Sequence, residues 1–220
     1  MHKVMVFIDF ENFRLSLNHY AFKLLGLSRP ITIDYAQFPH SLVNALPGQG
    51  NRLVKTFLFA PKPDDFLMQD TRRKKMYEWL KGMNNSSYYD LAEGKHIARL
   101  APGAKYMNIA DRTSYYVLEK GTDVLLSTHV ITKAFLNAFD TAVIVSGDTD
   151  NIPIFNVLNT MGKTSVCVGV YGQILDKLRE HADDVMILDD KFFTTCDRNG
   201  LTSSQQNNMP DVVEDVDAET

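Results

Sequence analysis

Short, continuous apolar runs recur along this chain, each followed by a stretch with helical spacing, and no other feature narrows the possible folds so far. KVMVFID at 3–9 is such a run, and NFRLSLNHYAFKLL at 12–25 continues it with apolar residues three and four apart. NRLVKTFLFAP at 51–61 is a second run, and DDFLMQDTRRKKMYEWLKGM at 64–83 carries the next helical pattern, closing near Gly82. TDVLLSTHVITKAFLNAF at 122–139 is an amphipathic helix. After it come the strand DTAVIVSGD, the helix NIPIFNVLNTMGK closing at Gly162, the strand TSVCVGV, the helix QILDKLREHA and the strand DVMILDD. Two regions are less regular: ITIDYAQFPHSLVNAL at 31–46 holds a helix from about Asp34, interrupted at Pro39, while KHIARLAPGAKYMNI and SYYVLEKG read as a pair of more polar, half-buried strands. Strands that are apolar throughout are buried on both faces, and their alternation with helices builds βα units. An α/β fold with a parallel sheet and helices on both faces is expected.

At 220 residues and 45% apolar content, the chain can bury one sizeable core. Its longest apolar runs fall well short of the roughly 18 residues a membrane span needs. MHKVMVFID passes at once into an apolar run ending in Asp9 and Glu11, which reads as a first strand and not as an export signal. A soluble, cytoplasmic protein without a membrane partner is expected. Cys167 and Cys196 are too few for a disulfide framework and belong to no metal-binding cluster.

The formal net charge of −4 hides an asymmetry. Residues 199–220 carry the acids Asp211, Glu214, Asp215, Asp217 and Glu219 and no Lys or Arg, so the rest of the chain is close to neutral. That segment has too few large apolar side chains to offset its ordering entropy by burial. The expected organisation is therefore a domain over 1–192 and a disordered, polar, acidic tail over 193–220. The tail either solubilises the chain or competes with nucleic acid for a basic surface.

In an open parallel sheet, ligands bind beyond the carboxyl ends of the strands. The first strand ends in VFIDFEN, offering Asp9, Glu11 and Asn12, and VIVSGDTDN offers Ser146, Asp148 and Asp150. Asp123 stands in KGTD at the start of the long helix. If the first strand and the VIVSG strand are neighbours, these acids converge, repel one another and raise one another's pKa values. A hard divalent cation relieves that repulsion, and Mg²⁺ is the ion usually held by a few carboxylates, waters and phosphate oxygens. Capping is the plainer alternative for Asp150 and Asp123. Asp9 resists that account better, and Asn12 is either a cap or a group that orients water or substrate.

FIDFEN, KGTDVLLSTHVITKAF and DTAVIVSGDTDNIPIFNVLNTMGK together resemble the NYN domain, a PIN-like nuclease fold that includes the LabA-like proteins. The resemblance runs over about 3–190 and is most specific in KGTDV followed by VSGDTD and a helix ending in GK. It implies a three-layer α/β/α sandwich with a central, mainly parallel sheet and Mg²⁺- or Mn²⁺-dependent cleavage of RNA. The family's acidic site falls here on Asp9, Asp123, Asp148 and Asp150 as metal ligands, with Asn12 as polar companion.

One position departs from the pattern. Family members often carry an Asp six residues beyond the KGTD acid, where this chain has His129. Six residues on an ideal helix turn through about 600°, which leaves His129 about 120° away from Asp123. It is a substituted outer ligand, a contact to substrate phosphate or a partly buried histidine. Ser146 and Asn12 are expected to position water or phosphate. Arg72, Arg73 and Lys74, with nearby lysines, arginines and tyrosines, are expected to meet phosphates and bases of single-stranded or structured RNA.

The expected activity is metal-dependent endoribonuclease, hydrolysing phosphodiester bonds at the carboxylate cluster. A second reading is an RNA-binding or regulatory module with weak or no catalysis. A phosphatase also suits acids after parallel strands, although a DxD nucleophile motif would need Asp where Glu11 stands. Self-association as a homodimer is left open by the sequence.

Overall fold

The computed structural model describes residues 1–196, so the tail expected beyond them lies outside the described residues. The first apolar run forms β1 (His2–Asp9), and its alternate side chains serve two cores. Val4, Val6 and Ile8 pack on one face of the sheet, Met5 and Phe7 on the other. That two-sided demand is why the run is apolar throughout, and each such burial contributes about 1.5–3 kcal/mol.

The other strands are β2 (Asn51–Pro63), β3 (Tyr89–Leu100), β4 (Tyr115–Lys120), β5 (Thr141–Val145), β6 (Thr164–Val170) and β7 (Asp184–Leu188). They form one sheet in the order β4-β3-β2-β1-β5-β6-β7. All neighbours are parallel except β3 and β4. Helices α1 (Phe10–His19), α2 (Phe38–Ala45) and α3 (Thr71–Gly82) cover the face of Val4, Val6 and Ile8. On the opposite face lie α4 (Thr122–Phe135), α5 (Ile152–Thr160) and the short α6 (Asp176–Arg179), with Leu126, Phe155 and Leu178 in the core there. This is the expected three-layer α/β/α arrangement with a mainly parallel sheet, consistent with a PIN-like fold. From β1 the chain builds outward on one side through β2, β3 and β4, then returns to place β5 on the other side. The direction of winding therefore reverses between β1 and β5, the point at which open α/β sheets open a crevice.

Local departures have physical causes. The helix expected from Asp34 begins at Phe38, and Pro39 does not interrupt it: Pro lies in the first turn, where its missing N–H costs no helical bond. The segment 173–182 keeps only one helical turn, because Gln173 leaves the helix and its Oε1 accepts from Val170 N at 2.7 Å. β3 starts at Tyr89, earlier than expected, since YDLAEG alternates too weakly to show as a strand. The packed chain continues past 192 through α7 (Asp190–Phe193) to Cys196, with Phe193 and Cys196 buried. Among the described residues, no helix is long and apolar enough to cross a membrane.

Candidate active site

Asp9 ends β1 and is also the N-cap of α1, so the capping role it was expected to resist is one of two it performs. Its Oδ1 accepts from the Asn12 backbone N–H at 3.2 Å, and its Oδ2 accepts from the Ser146 hydroxyl at 3.1 Å. Ser146 follows β5, which pairs directly with β1, so the condition on which the two strand ends would meet is satisfied. Ser146 Oγ in turn accepts from Asp148 N at 3.2 Å and from Asn151 Nδ2 at 3.1 Å. Asn12 Oδ1 accepts from Gly147 N at 2.9 Å, tying α1 to the same turn. Gly147 lies close to the Gln173 amide: a Cβ on it would lie 2.2 Å from Gln173 Nε2, so a side chain there would have to displace that amide.

These bonds assign roles that the sequence left open or assigned otherwise. Ser146 is 2% exposed and fully engaged, so it orients Asp9 and does not reach substrate as expected. The acceptor oxygen of Asn12 is likewise spent on the fold. Asp148 caps the 3-10 turn Thr149–Asn151, with Oδ1 accepting from Asp150 N at 2.9 Å, while Asp150 itself caps nothing. Asp123 stands in the first turn of α4, whose N-cap is Gly121 at φ 86°, so Asp123 is not a cap either. Asp123 and Asp150 are exposed and Asp148 is half-buried.

The charges of these groups influence one another. Burial pushes the Asp9 carboxyl up to about 7; the Asn12 and Ser146 bonds oppose the shift, and the charges of Glu119 and Asp123 add to it. Asp123 is also raised, first by desolvation, then by Glu119, Asp148 and Asp150. Glu119 is the acid that sequence reasoning missed. Burial alone would raise it, but His96 and Thr122 facing it bring it below the ordinary range. The His96 Nε2 to Glu119 Oε2 distance is 3.5 Å, and the two residues are direct partners across β3 and β4. Glu119 reaches the site because β4 runs antiparallel along the part of β3 that overhangs the sheet, and so returns to the edge where the parallel strands end.

Other expected residues stand elsewhere. The His129 ring packs edge-on against Phe57 and Phe59, at centroid distances of 5.2 and 5.5 Å. Desolvation lowers its pKa, Lys133 lowers it further and Asp90 opposes; none of the site acids influences it. Arg72, Arg73 and Lys74 occupy the first turn of α3, in the layer opposite α4 and α5. Glu11 is taken up by Arg14 at 2.6 Å.

Asp9, Asp123, Asp148 and Asp150 offer hard oxygen donors, and among the described residues no Lys or Arg pairs with any of them. That chemistry fits a divalent cation such as Mg²⁺ or Mn²⁺, since burial, with the charges of Glu119 and Asp123 added, holds the Asp9 proton to about pH 7 and a positive charge beside it would release it. The fit is one of donor type and charge: among the described residues, no three His, Cys, Asp or Glu side chains are grouped closely enough to hold a metal ion.

The family model described as NYN domain matches residues 3–189. A solved structure of a protein of unknown function from Vibrio parahaemolyticus superimposes with a TM-score of 0.55 at 20% sequence identity, covering 87% of this chain and 95% of that one. At that identity it shows a shared fold alone. No curated protein matches the chain.

Proposed function

This chain belongs to the NYN domain family, and we propose that it is a metal-dependent ribonuclease that hydrolyses RNA phosphodiester bonds at the carboxylates gathered between β1 and β5. One observation carries the reading: Asp9 and Asp123 are both raised, first by burial and then by neighbouring acids, and among the described residues no Lys or Arg pairs with either. A site so arranged favours a bound cation over an empty pocket.

In this reading Asp9 and Asp148 hold the cation, and Asp123 and Asp150 complete the set directly or through water. When bound, Mg²⁺ or Mn²⁺ would supply relief of phosphate charge and a water acidic enough to act as nucleophile near neutral pH. The chain's own residues prepare the place. Ser146 fixes Asp9 Oδ2, Asn12 fixes the turn at Gly147, and Asp148 uses one oxygen as a cap while the other is left for a ligand. Asp9 must release its proton to serve, which a positive charge beside it promotes. Hydrolysis adds water across the P–O bond, one proton leaving the attacking water and one returning to the leaving oxygen. The substrate class rests on the family and is carried over as RNA.

His129 favours a second reading, an RNA-binding module with weak catalysis. It stands where family members often have an acid, and its ring is occupied by Phe57 and Phe59, so it does not replace that acid. The deciding experiment is cleavage of a labelled mixed-sequence RNA with Mn²⁺, with Mg²⁺ and with EDTA, by the native protein and by Asp148→Asn. Cutting that needs metal and is lost in the variant supports the nuclease. RNA binding without cutting supports the module.

A further inference from the structure

Three lysines stand side by side across the overhanging edge of the sheet. Lys62 on β2 pairs in register with Lys95 on β3, and Lys95 pairs in register with Lys120 on β4. Directly paired residues share a face, so the three side chains project together; all three are exposed. With strands about 4.8 Å apart, the row spans about 10 Å. Like charges directly opposite destabilise a sheet, and no carboxylate among the described residues pairs with any of the three. The nearest acid along β3 on that face, Glu93, accepts from Tyr77 Oη at 2.5 Å. The same face continues to Arg99 and its cross-strand partner Tyr116, which is 45% exposed.

The row has a fixed relation to the acids. His96 and Glu119, one position along on the same two strands, point to the opposite face, where Glu119 influences Asp9 and Asp123. Lys120 is three residues before Asp123, and Gly121, at φ 86°, turns the chain between them. The ribbon of β3 and β4 thus has a basic side and an acidic side that meet at one rim.

We infer that Lys62, Lys95 and Lys120 form a phosphate-binding row that holds a single strand of RNA and leads it over the rim to the carboxylates, with Arg99 and Tyr116 extending the contact. The inference rests on the reading of the substrate as RNA given above. A stacked strand presents a phosphate about every 3.4 Å of its axis, so a 10 Å row meets about three. Tyr116 offers a face on which a base stacks. Single-stranded RNA is favoured over a duplex because the row is one residue deep, with an apolar pair, Ile97 and Leu118, separating it from Arg99 and Tyr116.

The test is binding of a fluorescein-labelled, mixed-sequence single-stranded RNA, followed by anisotropy in EDTA so that nothing is cut, across a range of salt. Three contacts at about 0.7 counterions each give a salt slope near 2, so Lys62→Gln/Lys95→Gln/Lys120→Gln should bind about 100-fold more weakly at about 0.1 M salt, the difference closing toward about 1 M. Asp148→Asn should bind as well as the native protein or better, and the triple variant should melt no lower than native, since it removes only repulsion. Unchanged affinity and slope in the triple variant overturn the row while leaving the nuclease reading intact. Loss of binding in the triple variant of a protein that never cuts RNA supports the row and removes the nuclease. A native protein that binds no RNA at the lowest salt, or that releases it to poly-glutamate at equal charge, overturns the row as an RNA site.

Discussion

The Ser146 hydroxyl donates to Asp9 Oδ2 at 3.1 Å, and both residues are buried where β1 and β5 end side by side. Ser146 is therefore a hub: the same oxygen takes the Asp148 backbone N–H and the Asn151 side-chain amide. Ser146→Ala leaves the buried Asn151 amide and one Asp9 oxygen without that partner, which costs about 1–3 kcal/mol for each unsatisfied group. Urea denaturation should show a loss of about 2–6 kcal/mol for the two groups together. Cleavage should fall as well, because Asp9 and Asp148 lose their common anchor. A variant as stable as native would show that the hub is dispensable.

Asp9 sets a dependence on pH. Its carboxyl titrates at about 7 in the folded protein, mainly through burial, against an ordinary 3.8. A raised acid favours the folded state below 3.8, and that stability is lost as pH rises toward and through 7. Asp9→Asn keeps the shape without the charge, retaining one acceptor oxygen and replacing the other with an amide that donates. In metal-free buffer it should unfold less readily than native at pH 8, by up to about 4 kcal/mol, the advantage shrinking as pH falls from 7 toward 4. Added Mn²⁺ should raise the melting temperature of native protein and not of the variant. A variant less stable than native at pH 8 would contradict the buried, uncompensated charge.

A side chain at Gly147 has room only if the Gln173 amide moves. Gly147→Ala would push a Cβ against the Gln173 amide, which is bonded to Val170 N. Cleavage should drop, with a stability loss on the order of 1–3 kcal/mol. Adding Gln173→Ala to the same chain should restore part of both. Failure of the second change to rescue the first would place the clash elsewhere.

His129 should be replaceable by an apolar residue. Its Nδ1 is buried with no hydrogen-bond partner in its half-buried place against Phe57 and Phe59, so His129→Leu should keep both stability and cleavage close to native. His129→Asp, which restores the acid common in the family, should instead destabilise by about 1–3 kcal/mol, since it sets a carboxylate against two phenyl rings. Thermal melting of the two variants decides it.

The core strands were legible because strands buried on both faces must be apolar throughout, and KVMVFID, AVIV and VCVGV meet that demand. Asp9, Ser146 and Asp148 were legible for a related reason: a polar residue at the end of such a strand lies at the rim. Glu119 was not, because SYYVLEKG does not reveal that it runs back along an overhang of β3 to the same rim. The engagement of Ser146 and Asn12 with the fold was hidden too, since a side chain at a strand end can face solvent or a neighbouring turn with the same sequence around it. The placement of RRKK on the layer opposite α4 and α5 depended on the winding of the sheet, which no local pattern expresses.

The reversal of winding at β1 also bears on when activity can begin. Asp9 is made early in synthesis, but Ser146, its hydrogen-bond partner, is 137 residues later, and β5 can dock beside β1 only after β2, β3, β4 and α4 have been threaded. Such distant pairings form late in folding. A chain still emerging from the ribosome therefore carries half of the carboxylate site and none of its alignment. Under the ribonuclease reading proposed above, no carboxylate site is aligned for cleavage until β5 has been made and docked beside β1.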